Sequence, residues 1–264
     1  MIEFDNVTRS YAHKIAVDRL TLTVPSGELF ALLGPNGAGK TTTIKMLTGL
    51  LRPMGGSLRV CGHDLVTDTR RAAHSIGYVP EEPFLYDKLS GREFLEFVAE
   101  MRGMDRPAID DRVRRECQYF DLDAFVDDLI ETYSHGMKQR LVFASALLHD
   151  PPVLVIDEPT VGLDPRSVRA VKDRLRDQAD AGTTVFMSTH TLDLAEEIAS
   201  RIGIMDHGRL CFLGTVGELQ SELASHHASL EPLFLELTSG NGRGKGGRRK
   251  GEGGGEKEDG GGES

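Results

Sequence analysis

The densest chemistry in the sequence lies in one run, Gly34-Pro35-Asn36-Gly37-Ala38-Gly39-Lys40-Thr41-Thr42. Its spacing is G-x-x-x-x-G-K-[ST], which wraps backbone N–H groups around a chain of phosphates. The glycines remove Cβ atoms that would block the approach. The helix expected to follow aims the positive end of its dipole at the same place. Lys40 supplies a point charge for the outer phosphates. The Thr41 hydroxyl is placed to ligate Mg²⁺, an ion that takes few protein ligands and keeps waters. The bland alternative is a glycine-rich turn before an ordinary helix. The length of the motif and its strand–loop–helix setting count against it.

Two carboxylates, Asp157 and Glu158, end the apolar run Val153-Leu154-Val155-Ile156. Ligands of open α/β sheets sit at the carboxyl ends of strands. Asp157 is suited to the Mg²⁺ that Thr41 touches, directly or through water. Glu158 is suited to polarising a water for in-line attack on a γ-phosphate. Solvated acids at a strand end are common by themselves, but beside a phosphate loop they gain a purpose. His190, in Ser188-Thr189-His190, then reads as a γ-phosphate sensor, although a lone histidine there is usually structural or exposed. A further run, Tyr133-Ser134-His135-Gly136-Met137-Lys138-Gln139-Arg140, precedes a helix. Ser134 is an ordinary N-cap residue, yet with the free N–H groups of that helix start it makes a second anion site. One nucleotide is already served by the first site. The economical expectation is that the second serves a nucleotide held by another subunit.

The elements that must position these groups follow from pattern. Leu29-Phe30-Ala31-Leu32-Leu33 is a buried strand, and the helix after the phosphate loop is expected over 43–50. Half-buried strands are predicted over 2–10 and 16–24, ending at Pro25-Ser26-Gly27, with a short one at 57–62. They suggest an antiparallel sheet laid against the nucleotide-binding core. Ile76-Gly77-Tyr78-Val79-Pro80 is another short strand. Ser90-Gly91-Arg92-Glu93 has capping-box spacing and opens a helix. Further helices are predicted over 107–120, 124–130 and 136–148. Residues 85–148 thus form a helical subdomain inserted in the α/β core. Asp150-Pro151-Pro152 stops the last helix. Val153–Ile156 and Thr183–Ser188 suit central parallel strands buried on both faces. Asp164-Pro165 is the N-cap and first-turn proline of a helix reaching Ala181, with another over 192–199. A hairpin over 202–213 and an amphipathic helix over 217–238 complete the folded part.

Composition sets the limits. The chain has 264 residues, enough for one large domain or two small ones, and a net charge of −10, which argues against broad nucleic-acid binding. Cys61, Cys117 and Cys211 are odd in number and lack ligand spacing, which fits a reducing compartment without disulfide or zinc. The start, Met1-Ile2-Glu3-Phe4-Asp5, lacks the apolar core of a secretion signal. No run approaches the ~18 apolar residues of a membrane span. A soluble, cytoplasmic chain is expected, so any membrane part must come from another chain. After Ser239 the composition collapses to Gly and charged residues, and 239–264 is expected to be a disordered tail, basic first and then acidic. Such a tail is read as solubilising; contact of its basic part with anionic lipid or RNA is the rarer alternative.

The order of these motifs resembles the ATP-binding subunits of ABC transporters, over roughly residues 2–238. The resemblance rests on Tyr11, the phosphate loop 34–42, Tyr78-Val79-Pro80-Glu81, the segment 133–139, Asp157-Glu158, Pro159-Thr160-Val161-Gly162-Leu163-Asp164 and His190. It implies a P-loop NTPase core with an antiparallel β subdomain and a helical subdomain. It also implies ATP and Mg²⁺ as cofactors, and ATP hydrolysis with Glu158 as base. By resemblance Tyr11 stacks on adenine. Two subunits, identical or not, sandwich two ATP molecules, each bound by one chain's phosphate loop and the other's Ser134–Met137 segment, with Asp164 at the seam. A separate membrane-spanning permease is the implied partner, with the ATPase on the cytoplasmic face of the membrane.

Two departures stand out. Glu81 replaces the family's usual glutamine; a carboxylate can still ligate Mg²⁺ or order water, but adds negative charge near phosphate. The L-S-G-G-Q segment is Tyr133-Ser134-His135-Gly136-Met137. Both departures, and the ending 229–237, are similar to the daunorubicin-resistance and sodium-efflux branch, which implies export of a drug, ion, lipid or polysaccharide. The alternative is a soluble ABC-type ATPase in a non-transport complex. Translation-type members carry two cassettes and repair-type members long coiled coils; this chain has one cassette and no heptad stretch.

Overall fold

Two kinds of strand build two sheets. The computed structural model describes residues 1–160, 163 and 165–224. Strands β1 (Ile2–Tyr11) and β2 (Lys14–Val24) bury Ile2, Phe4 and Val7, and Val17, Leu20, Leu22 and Val24, while their polar neighbours face out. One apolar face per strand makes an antiparallel layer. The strand β3 (Leu29–Leu33) is instead buried at every residue. Strands β4 (Gly55–Val60) and β5 (His63–Asp64) complete the antiparallel sheet in the order β2-β1-β4-β5.

The central sheet adds β6 (Ile76–Val79), β7 (Val153–Asp157), β8 (Thr184–Thr189), β9 (Arg201–Asp206) and β10 (Arg209–Gly214) to β3. Its order is β10-β9-β3-β8-β7-β6, parallel throughout except for β10 at one edge. Period-two alternation sends successive side chains to opposite faces. Phe30, Leu32, Val153, Val155 and Phe186 join a cluster with the antiparallel sheet and with helix α1 (Lys40–Leu47). Leu29, Ala31, Leu33, Leu154, Ile156, Val185 and Met187 face the other way. They meet helices α3 (Gly91–Met101), α4 (Arg106–Tyr119), α5 (His135–Leu147), α6 (Pro165–Asp180) and α7 (Leu192–Ile198). A short α2 (Thr69–His74) precedes β6, and α8 (Val216–Ala224) follows β10. Among the described residues, no helix is long and apolar enough to cross a membrane.

Local chemistry explains the boundaries. Ser90 Oγ accepts the Glu93 N–H at 3.2 Å while the Glu93 carboxylate accepts the Ser90 N–H at 2.8 Å, a complete capping box on α3. Asp105 accepts the Ala108 N–H at 3.1 Å, with Pro107 in the first turn of α4. At Gly77 a Cβ would stand 2.3 Å from the Ala146 carbonyl oxygen, so glycine lets α5 lie directly on β6.

Several expectations need correction. No helix forms over 124–130. That segment is a series of turns ending in the 3₁₀ turn Ile130–Thr132, because its backbone is engaged elsewhere. Val126 O accepts the Arg92 N–H, Ile130 N–H donates to Leu89 O, and Leu129 pairs with Ser90. Helix α1 begins at Lys40 rather than Thr43, since Gly39 already caps it. α2 and β5 were not foreseen. The Asp164 N-cap, the continuation of α8 beyond 224 and the 239–264 tail lie outside the described residues.

Candidate active site

Gly39 shapes the phosphate loop. It has φ 113°, and a Cβ there would lie 2.4 Å from the Ala16 carbonyl oxygen. Glycine therefore lets the loop press against β2 in a left-handed conformation. Two further bonds hold that contact: Gly208 N–H to Ala38 O and Asp18 N–H to Gly208 O, both 2.8 Å. Gly34 and Ala38 are buried on the inner side of the turn. Lys40 is only 6 % exposed, and its Nζ donates to Gly34 O at 2.6 Å and Pro35 O at 3.3 Å. It lies 3.7 Å from Glu158 Oε1. Burial holds this ammonium below the usual lysine range, opposed by the Glu158 and Asp157 carboxylates.

The carboxylates are fixed by β7 and β8. The Ser188 hydroxyl donates to Asp157, which is buried. Glu158 departs from the strand with φ 51°, a left-handed conformation that costs a non-glycine residue roughly 1–2 kcal/mol. Its N–H donates to Ser188 O at 3.2 Å and to Ser188 Oγ at 3.3 Å, which holds the bend. The bend sends Glu158 Oε2 to His190 Nδ1 at 2.9 Å. Partial desolvation, then the charges of Asp157 and Glu158, raise the Glu81 carboxyl above its usual range. The Tyr78 phenol is pushed up to about 12 by burial, with Asp157 and Glu81 adding to it.

A cleft of about 390 Å³ gathers Tyr11, Pro35, Asn36, Gly37, Gly39, Lys40, Thr41, Thr42, Glu81, Glu158 and His190. Asp157 is buried and does not line it. Ser134, His135, Gly136 and Met137 do not join them. They line a separate cleft of about 660 Å³, with Phe120, Phe143, Ser167, Val171 and Arg174, and no residue lines both. Ser134 Oγ accepts the Met137 N–H at 3.3 Å, and the Met137 thioether accepts the Ser134 N–H at 3.4 Å. A sulfur thus closes the cap where a Glu or Gln carbonyl oxygen ordinarily would. Asp164 lies outside the described residues.

The first cleft fits a nucleoside triphosphate with a divalent ion. A buried lysine among carbonyls and a carboxylate, a glycine loop at a helix start, and hydroxyl and carboxylate oxygens are the donor set such a group requires. Comparison with known proteins agrees. The family model "ABC transporter" matches residues 17–161, more than half of the chain. The chain belongs to the ABC transporter family. It is 42 % identical over 225 residues to the daunorubicin/doxorubicin resistance ATP-binding protein DrrA of Streptomyces peucetius, covering 85 % of this chain and 68 % of that one. It is 37 % identical over 223 residues to the linearmycin resistance ATP-binding protein LnrL of Bacillus subtilis, covering 84 % and 72 %. A solved ATP-binding subunit of an ABC transporter superposes with a TM-score of 0.81 at 32 % identity, over 90 % of this chain and 99 % of that one.

As an ABC ATPase, the chain binds and hydrolyses ATP, and its similarity to drug-resistance ATPases matches the branch that the residues at 81 and 133–137 suggested. Three residues at this ABC site escaped the sequence reading. Lys14 and Ala16 line the cleft, and Ser188 holds both Asp157 and the Glu158 backbone. Ser188 had a visible signal, as a hydroxyl at the end of the strand beside Val153–Asp157. Lys14 had none beyond its nearness to Tyr11.

Proposed function

We propose that this ABC ATPase powers export through a separate membrane-spanning permease, working as a dimer closed by ATP. The observation that carries the reading is the division of the anion-binding groups between two clefts. Lys40 and the 34–42 loop stand in one, the Ser134–Met137 helix start in the other. Two such chains facing head to tail bring each helix start against the partner's loop. The resistance proteins among the relatives favour export, with a drug, ion, lipid or polysaccharide as the cargo class.

Bound Mg-ATP supplies the labile phosphoanhydride. The chain's own groups do the rest. The 34–42 loop and Lys40 hold phosphate oxygens, and Tyr11 offers a ring, 47 % exposed, to the adenine. Thr41, Asp157 and Glu81 would hold the ion, directly or through water. Glu158 takes a proton from the attacking water. His190, bonded to the other side of that carboxylate's carbon at Oε2, orients it and donates toward the transferring group. The surface for the permease is the 81–89 loop with α3. There Phe84 is 82 % and Met101 73 % exposed, and Tyr86 stacks edge-on against Phe84 and Phe97. Large apolar groups left in water next to the site suit a protein partner.

The test is the solution mass of Glu158→Gln by light scattering, with and without Mg-ATP. A monomer that becomes a dimer only with ATP, and reverts when Ser134→Arg is added, supports the reading. A chain that stays monomeric at saturating ATP overturns the symmetric sandwich.

A further inference from the structure

We propose that Lys14 is a phosphate-binding residue, a second cation that the β1–β2 turn delivers over the phosphate loop. The inference rests on reading the 390 Å³ cleft as the nucleotide site. β1 and β2 are joined by the two-residue turn Ala12-His13, with Ala12 at φ 48°. Tyr11 and Lys14 are therefore direct cross-strand partners. Opposed residues of an antiparallel pair project from the same face, so the turn that places Tyr11 in the cleft places Lys14 there too. Both line it. Beyond the turn, β2 runs against the loop at Ala16 and Gly39. The Lys14 Nζ comes within 4.0 Å of where a Cβ on Gly37 would stand.

The charges in the cleft leave this lysine with work to do. Lys40 is buried, donates to two loop carbonyls and pairs with Glu158. Glu81 and Glu158 line the same cleft, and the buried Asp157 carboxylate acts on Lys40. A triphosphate brings several more negative charges to a site where one lysine is already engaged. Lys14 is exposed and makes no ion pair among the described residues. A compact ammonium on a flexible stem suits phosphate oxygens at the mouth of a cleft.

The experiment is equilibrium binding of a fluorescent, non-hydrolysable ATP analogue to the full chain with Mg²⁺, at several salt concentrations, with adenosine and inorganic tripolyphosphate as competitors. Lys14→Gln should weaken the analogue and tripolyphosphate by roughly fivefold, as expected for loss of one charge-assisted contact. Adenosine should be unaffected, the salt dependence should become shallower, and Lys14→Arg should stay within about twofold of the parent. Unchanged analogue affinity and salt dependence in Lys14→Gln, or an equal loss for adenosine, overturns the proposal. Lys40→Ala separates the two levels. If it loses the analogue while Lys14→Gln does not, only the role of Lys14 falls. If Lys40→Ala binds as well as the parent, the reading of the cleft falls, and this inference with it.

Discussion

The phosphate-loop cleft and the Ser134 cleft differ in how completely one chain finishes them. In the first, the buried charged groups already have counterparts within the chain: Lys40 against Glu158 and loop carbonyls, Glu158 against His190, Asp157 against Ser188. Its backbone is held by β2, β8 and the turn at Gly208. In the second, Ser134 and His135 are exposed, and the helix start is capped by a thioether, a weak acceptor. A preorganised site is rigid because it must bind on its own. A surface that becomes a site only against another molecule needs donors in place, and little else.

Substitutions can break that contrast. The largest effect is expected at Gly39→Val, which puts a β-branched residue at φ 113° with its Cβ against the Ala16 carbonyl. Strain and clash together cost on the order of 3 kcal/mol. Calorimetric titration should show no ATP binding, and the melting temperature should fall by several degrees. Wild-type affinity would mean that the loop is not held as described. Next comes Ser134→Arg. Steady-state phosphate release should fall on the order of 100-fold, as when one anion donor is removed from a reacting centre. Nucleotide affinity of the single chain should stay within about twofold, because Ser134 does not touch the first cleft. A parallel loss of affinity would merge the two clefts into one site.

The smallest effect belongs to neither cleft and marks the scaffold they share. His149, just past α5, has its pKa lowered from 6.5 to about 4 by burial, with Arg102 and His74 adding to it and Asp150 opposing. A neutral ring is favoured in the fold while the unfolded chain takes up a proton. Stability is therefore unaffected above about pH 6.5 and is lost as pH falls toward about 4. The loss is of order 2 kcal/mol once partial exposure is allowed for. Urea melts of His149→Phe should show a flatter acid limb than the parent between those values. An unchanged limb would mean that burial of a neutral His149 ring is not what makes the fold acid-sensitive.

How much of this was legible in the sequence depends on how local the determinant is. The runs at 29–33 and 153–157 are apolar at nearly every position, and they are strands buried on both faces. Ser90 and Glu93 announced their capping box. The motif 34–42 revealed its own chemistry. The misses are non-local. Residues 124–130 carry helix-compatible side chains, but their backbone groups answer to Leu89, Ser90 and Arg92. Lys14 enters the cleft through hairpin register, which no spacing rule reports. The separation of Ser134 from the loop is no miss, since the sequence assigned that segment to a nucleotide of another subunit.

The bend at Glu158 carries a last consequence. The residue adopts a backbone conformation that glycine would adopt without penalty, and it holds a nearly buried carboxylate there. Glycine there would relieve both, but would leave the buried Lys40 without its carboxylate. Backbone strain and ion pairing therefore pull in opposite directions at one position. The bend persists because the one carboxylate it carries answers two groups, Lys40 at one oxygen and His190 at the other.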